Sequence, residues 1–546
     1  MMLRRDYRRS IIFGTAAFAA VFLFMALAVF ALLSFDTGAS AAGIMDTYTL
    51  RILRFTLYQA MLSSLLSIVL GLPVALALAR RREFPGRIWI IRLLAVPMGL
   101  PVIVGAFGII TIWGRQGIVN TAFVFAGVDE PFSIYGLSGI LIAHVFFNLP
   151  LCVRLMLAGL ERIPGEYWRM AASLGMGPVS VFRFIEWPAI SRLVPGIAGL
   201  VFMLCATSFT LVLLLGGGPA ATTLEVAIYQ ALRFDFDPQR AIVLSVLQIV
   251  LTAVLLGLLA FLPSPEAEIS PLGRLIRRFD GKSVNARLWD GVAIGFAILL
   301  VGLPLVAIAV SGLTADLPRL VTAPIFLRAA VTSLAIAVLS AILVVFCCMA
   351  IISARQAVDS KRRAVWPLRV LSATLGAGSS LVLLVPPVVL GSGWFLLLRP
   401  FGDVSAYAPI LVALINMLMA LPLAMRVLEP AFTSHFLRTG RLSASLGLQG
   451  LTRLRFADLP VLWRPMAMAF FFAMALSLGD LGAVALFGSE NFVTLPWLVY
   501  SNMGSYRTND AAGYAFLLGI VCLLLAAGGV SRQAQSAGAQ SARASI

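Results

Sequence analysis

Long, almost uncharged apolar runs recur from one end of this chain to the other, and they restrict its fold more than any single motif does. A helix rising 1.5 Å per residue needs about 20 apolar residues to cross a hydrocarbon core roughly 30 Å thick. Twelve such runs can be marked, near residues 11–34, 55–79, 90–113, 134–158, 194–216, 241–262, 291–311, 329–353, 370–398, 408–428, 466–488 and 511–530. Of the 546 residues, 60% are hydrophobic and only 12% charged, too few polar side chains to clothe a water-soluble chain of this size. Without water to solvate the backbone, each run must satisfy its own N–H and C=O groups, which a helix does. The expected fold class is an all-α membrane protein of about 12 transmembrane helices.

A net charge of +17 could suit a nucleic-acid binder, but its distribution argues for orientation instead. With the N-terminus placed inside, 32 of the 41 lysines and arginines fall on cytoplasmic segments and nine outside. The acidic residues divide almost evenly, so the bias follows the positive-inside rule. Both termini are expected in the cytoplasm, with membrane lipid as a partner and no nucleic acid. Ala39-Ser40-Ala41 resembles a cleavage site, but the apolar stretch before it is about twice as long as a cleavable core, so an uncleaved first helix is expected. The five cysteines, Cys152, Cys205, Cys347, Cys348 and Cys522, lie in or near apolar runs without C-x-x-C spacing and read as packing residues.

A constant offset of 272 residues relates the two halves. Leu149-Pro150-Leu151 matches Leu421-Pro422-Leu423, and Ala172-Ser173-Leu174-Gly175 matches Ala444-Ser445-Leu446-Gly447. Arg154, Arg169, Pro188 and Arg192 match Arg426, Arg441, Pro460 and Arg464; farther on, Gly216 matches Gly488 and Thr222 matches Thr494. Six helices per half preserve orientation, which implies a parallel repeat about an axis along the membrane normal, with a pore between the halves as the natural geometry.

The best-matched stretch is a polar loop, where a packing-only account would put the strongest similarity in the helices. In the first copy, Pro164 suits the first turn of a short helix and Gly175 its end, with Tyr167, Ala171 and Leu174 on one face. Such a helix with basic flanks can insert into a partner's groove. Both loops resemble the EAA loop of ABC-importer permeases: Glu-Ala-Ala, three residues, Gly, nine residues, Ile-x-Leu-Pro. Gly175 is followed by nine residues and Ile185-Glu186-Trp187-Pro188, Gly447 by nine and Ala457-Asp458-Leu459-Pro460, with Arg169 and Arg441 in place of the glutamate. The resemblance implies two tandem type-1 permease units and assigns ATPase coupling to Arg169, Ala171, Ala172, Leu174, Gly175, Ile185 and Pro188, and to Arg441, Ala444, Leu446, Gly447, Leu459 and Pro460. The coupling helices are expected near 164–175 and 436–447.

The expected domains are the first helix and periplasmic loop, 1–54; one permease domain, 55–262, with its coupling loop at 161–190; and a cytoplasmic linker, 263–290. The seventh helix and its periplasmic loop, 291–328, the second permease domain, 329–530, with its loop at 433–462, and a tail, 531–546, complete the chain.

Stretches such as Ala143-His144-Val145-Phe146-Phe147-Asn148-Leu149-Pro150, Leu215-Gly216-Gly217-Gly218-Pro219 and Ser477-Leu478-Gly479-Asp480-Leu481-Gly482 are similar to the thiamine and thiamine pyrophosphate permeases. That implies thiamine or its phosphates as cargo, a periplasmic thiamine-binding protein, and two copies of an ATP-binding subunit that hold ATP and Mg and do the hydrolysis. No enzyme activity, cofactor, metal or catalytic residue is expected in this chain: Gly281-Lys282-Ser283 lacks the earlier glycine of a phosphate loop, that place being Ile276. Asp480, the only acid placed well inside a run, is a substrate-pathway candidate with Asn148, or else a structural partner within the bundle. His144 and Asn148 read as interhelical hydrogen-bonding residues, and Gly216-Gly217-Gly218 as a tight turn. A ferric-iron-type fused permease stays open as an alternative, as does a twelve-helix secondary transporter, although the latter would have little use for a repeated docking loop.

Overall fold

The computed structural model describes residues 2–34, 46–127, 132–261, 278, 283–359, 366–448, 450–489 and 492–530. Most of the linker and all of the tail expected from the sequence lie outside them. No strand occurs among the described residues. The first repeat contains α1 (Met2–Ser34), α2 (Thr47–Arg80), α3 (Arg87–Gly99), α4 (Val102–Trp113), α5 (Leu137–Glu161), α6 (Gly165–Ser173), α7 (Val194–Ala206), α8 (Leu224–Arg233) and α9 (Pro238–Ala260). The second contains α10 (Val284–Thr314), α11 (Pro324–Asp359), α12 (Trp366–Leu381), α13 (Pro387–Leu398), α14 (Ala408–Ser445), α15 (Leu459–Gly479), α16 (Leu495–Gly504) and α17 (Thr508–Val530). Among the described residues ten helices are long and apolar enough to cross a bilayer, or eleven if the pair Pro178–Ser191 and Val194–Ala206, bent by 53°, is counted as one span.

Some apolar runs that read as continuous are broken. The 90–113 run divides at Leu100-Pro101 between α3 and α4, and the 370–398 run divides before α13 at Val385-Pro386. Proline has no N–H to donate and pushes the preceding residue into extended backbone, as at Leu100 and Val385. The fifth span of each repeat also breaks at matching places. α7 ends at Ala206 and helix resumes at Thr210–Leu215; α15 ends at Gly479 and helix resumes at Gly482–Phe487. Apolarity alone carries no signal of such interruptions.

Compact packing cuts across the repeat. One unit combines α1 and residues 231–249 with the chain from Asp316 onward; the other holds residues 39–230 with 250–315. In the first unit α1 lies along α11 and α13, so closely that a Cβ on Gly393 would come within 2.3 Å of the Ala28 carbonyl oxygen. In the second, α10 lies along α2 and α4, and a Cβ on Gly108 would come within 2.7 Å of the Pro304 carbonyl oxygen. Small residues at such crossings let membrane helices gain dispersion contacts where lipid offers no hydrophobic drive. Asp290 of α10 also pairs with Arg80 at 2.7 Å and Arg81 at 2.9 Å.

Buried polar ties cross the helices at repeat-related positions. His144 Nδ1 lies 2.9 Å from Ser63 Oγ, Asn148 Nδ2 donates to Cys205 Sγ at 3.3 Å, and Gln59 Nε2 donates to the Cys205 carbonyl at 2.9 Å. In the second repeat Asn416 donates to Ser477 Oγ at 2.9 Å. His144 and Asn416, like Cys205 and Ser477, are 272 residues apart. Cys152, Cys205, Cys348 and Cys522 are buried and unbridged, and Cys347 is half-buried.

Candidate functional site: two matched coupling loops

The first loop begins where α5 ends at Glu161, and Pro164 precedes the first turn of α6. Trp168 and Ala171 turn inward against Val181, with Ile163, Met176 and Ile185 around them. Tyr167, Met170 and Leu174 point out, Leu174 being 69% exposed. The outward stripe is therefore Tyr167, Met170 and Leu174, and Ala171, expected on it, belongs to the small core beneath. Arg169, Ala172 and Pro188 are exposed and Ile185 is half-buried.

Gly175 terminates α6 with φ +63°. The Met176 N–H donates to the Ala171 carbonyl at 3.0 Å, and the Gly175 N–H to the Ala172 carbonyl at 3.2 Å. This is a Schellman cap, whose left-handed residue is ordinarily glycine because a Cβ there is strained. The motif glycine is thus a backbone requirement of the loop. In the second loop Gly447 has φ +66°, and the Leu448 N–H donates to the Ser443 carbonyl at 3.0 Å.

Past the cap, each loop contains one π-helical turn, Phe182–Glu186 and Leu454–Asp458, at the same repeat position. Pro188 and Pro460 follow them. A proline cannot donate to the carbonyl four residues back, which favours the wider i→i−5 bond seen from Trp187 to Phe182 and from Leu459 to Leu454. Each π turn ends on a buried carboxylate. Glu186 pairs with Arg278 at 2.6 Å, and Asp458 lies 2.9 Å from His435 Nε2 and 3.4 Å from Arg453. Sequence reading passed over this pair of acids; their only sequence mark is an acidic residue at position two of each Ile-x-Leu-Pro-like tetrapeptide.

The second loop differs at its start. A separate short helix over 436–447 is expected, but α14 runs unbroken to Ser445. The positions of Pro164 and Gly165 are taken there by Phe436 and Leu437, so nothing interrupts the helix. Leu446 is 65% exposed, matching Leu174; Leu459 and Pro460 are exposed as well. Arg441 and Ala444 continue the backbone of α14, and their side chains lie outside the described part.

The two pathway candidates sit elsewhere. Asp480 occupies the break after α15, and its carboxylate accepts from the Gly482 N–H at 3.1 Å and the Ala483 N–H at 3.2 Å. Asn148 is buried in its tie to Cys205. Gly217 and Gly218 take positive φ, as a tight turn after Thr210–Leu215 requires.

Residues 67–263 match the family model described as "Binding-protein-dependent transport system inner membrane component". The chain is 48% identical over 509 residues to the thiamine transport system permease protein ThiP of Brucella abortus strain 2308, covering 93% of this chain and 92% of that one. It is 42% identical to the protein of the same name from Salmonella typhimurium, over 93% of this chain and 94% of that one, and 42% identical to that of Escherichia coli K12, over 88% of each. Near-complete coverage of both chains takes in both loops and the broken spans. The chain therefore belongs to the ThiP family of thiamine transport system permease proteins, multi-pass inner-membrane components of binding-protein-dependent transport.

Proposed function

We propose that this chain is the permease of an ATP-binding-cassette importer that carries thiamine or thiamine phosphates across the inner membrane. The observation that carries the reading is the doubled loop: a Schellman glycine, a protruding leucine and a π turn, all repeated at a spacing of 272 residues. Two equivalent docking elements suit two copies of an ATPase subunit, which would bind ATP and Mg²⁺ and hydrolyse the nucleotide. The loops would face the cytoplasm, as would both termini, in keeping with the basic residues of the linker and loops. A periplasmic thiamine-binding protein would deliver cargo on the other side, the substrate named for the relatives.

The loops suit force transmission because their ends are fixed. The cap sets where α6 stops, the π turn sets the direction of the following helix, and the buried carboxylate ties the turn down. Closure of the ATPase dimer would displace Leu174 and Leu446 together with the helices behind them, α5 and α7 on one side and α14 and α15 on the other, so that the cargo path opens alternately to the two faces of the membrane. Asp480 would lie on that path, where its carboxylate would attract the cationic thiazolium ring.

The deciding experiment is reconstitution in liposomes with the ATPase and binding protein, reading ATP hydrolysis and uptake together. Thiamine-stimulated hydrolysis with matching uptake supports the reading. Uptake without the ATPase would make the chain a secondary transporter, and stimulation by ferric iron in place of thiamine would move it to the iron-type permeases.

A further inference from the structure

We propose that Arg278, from the stretch joining the two repeats, is a positioning residue that clamps the first coupling loop; the proposal rests on the permease reading above. Its guanidinium makes two contacts at once. One nitrogen donates to Glu186 Oε1 at 2.6 Å, with the two side chains 2% and 0% exposed. The group also lies 3.9 Å from the centroid of the Trp168 ring. Glu186 ends the π turn and Trp168 is the inward face of α6, so one side chain holds both arms of the loop at a fixed angle. A planar guanidinium can donate in its plane and stack with its face; an ammonium group cannot do both in this geometry. Arg278 also forms one wall of a recess of about 220 Å³ lined by Trp168, Ala171, Ala172, Gly175, Met176 and Val181, beside the cap of α6. It therefore holds the inner side of the loop from which Leu174 projects.

The second repeat builds the same arrangement from different residues. The matching carboxylate, Asp458, is held by His435 and Arg453, and the Arg453 guanidinium lies 5.1 Å from the Phe436 ring of α14. In both loops a carboxylate ending the π turn meets a guanidinium stacked on an aromatic ring from the preceding helix. The source of the cation differs. Arg453 is five residues from its acid, whereas Arg278 reaches back 92 residues. The first loop is thus set by one distant arginine, and the second by residues of its own.

The test uses the full chain with its ATPase and binding protein, and measures the Kd of the ATPase for the detergent-solubilised chain, the thermal midpoint, and cargo moved per ATP in liposomes. The variants are Arg278→Met, Arg278→Lys and the double variant Arg278→Met with Glu186→Met, which removes both charges of the pair together. In the double variant the midpoint should stay within a few degrees of the parent while the Kd rises about tenfold and cargo per ATP falls, the scale expected for coupled neighbouring groups. Arg278→Lys should recover only part of the loss, since it restores charge without the stacked plane. Unchanged Kd and cargo per ATP in the double variant, with a parent chain that binds the ATPase, overturn the clamp alone. A parent chain that does not bind the ATPase overturns the permease reading and the clamp with it.

Discussion

Single positions carry much of the loop's design, and Gly175 is the clearest. No atom lies within 4 Å of where its Cβ would sit, so the objection to a side chain there is conformational and not steric. Gly175→Ala should cost about 1 kcal/mol through its left-handed φ, and Gly175→Val more, because a β-branched residue resists that region most. Thermal unfolding in detergent should register the small loss, and coupled transport the larger one as the cap frays. Gly447→Ala should behave alike, and a difference between the two would show that the loops are not equivalent in use. At Asp480 the capping and pathway roles differ in what they need from the carboxylate: two acceptor oxygens or a charge. Asp480→Asn removes the charge and keeps one oxygen to accept from the Gly482 N–H, while its NH2 group leaves the Ala483 N–H without its acceptor. Thiamine uptake should then fall several-fold while thermal stability drops by no more than about 1 kcal/mol, the scale of one lost capping bond; unaltered uptake and inhibition profile would leave Asp480 a cap and nothing more. The glycines and prolines of both loops were legible from the sequence because their chemistry is local. Glu186 and Asp458 were not, since a buried acid is recognised by the distant group that neutralises it, and Arg278 is 92 residues away.

Helices were legible by length and misread at their interruptions. The 272-residue spacing suggested two short coupling helices, yet the second is the tail of α14, because Phe436-Leu437 replaces Pro164-Gly165. Introducing Phe436→Pro with Leu437→Gly should part α14 from the loop and produce faster amide exchange over residues 435–440. If exchange there stays as slow as in the parent, the helix continuity has some other cause. The seating of α1 gives a second element-level prediction. Gly393→Leu would drive a side chain into the Ala28 carbonyl, so α1 must shift from α13. The expected result is a lower thermal midpoint and a weaker cysteine cross-link between the two helices; an unchanged cross-link would mean that α1 is held mainly through α11.

The whole molecule is a repeat whose halves match at the loops and at the break in the fifth span, and differ in how each loop's buried acid is held. Outward leucines stand at nearly equal exposure in both loops, while one loop hangs from a distant arginine and the other from a local one. If each loop engages its own ATPase copy, Leu174→Glu or Leu446→Glu alone should lower stimulated hydrolysis at least tenfold, since a charge would be forced into an apolar groove. Equal effects would indicate concerted use of both loops; a silent Leu446→Glu would confine the drive to the first. The sequence by itself determined what depends on short-range chemistry and on solvent. Run length and low charge set membrane helices, the 272-residue offset set the repeat, and glycine and proline spacing set the loops. Tertiary structure alone decided which helices share a unit, putting α1 with the second repeat's helices and α10 with α2 and α4. It also decided how each buried acid is neutralised. Every one of these spans is apolar around most of its circumference, so hydrophobicity cannot choose a helix's neighbours. That choice falls to close backbone approach at glycines and to a few polar ties, whose partners are brought together only when the chain is folded.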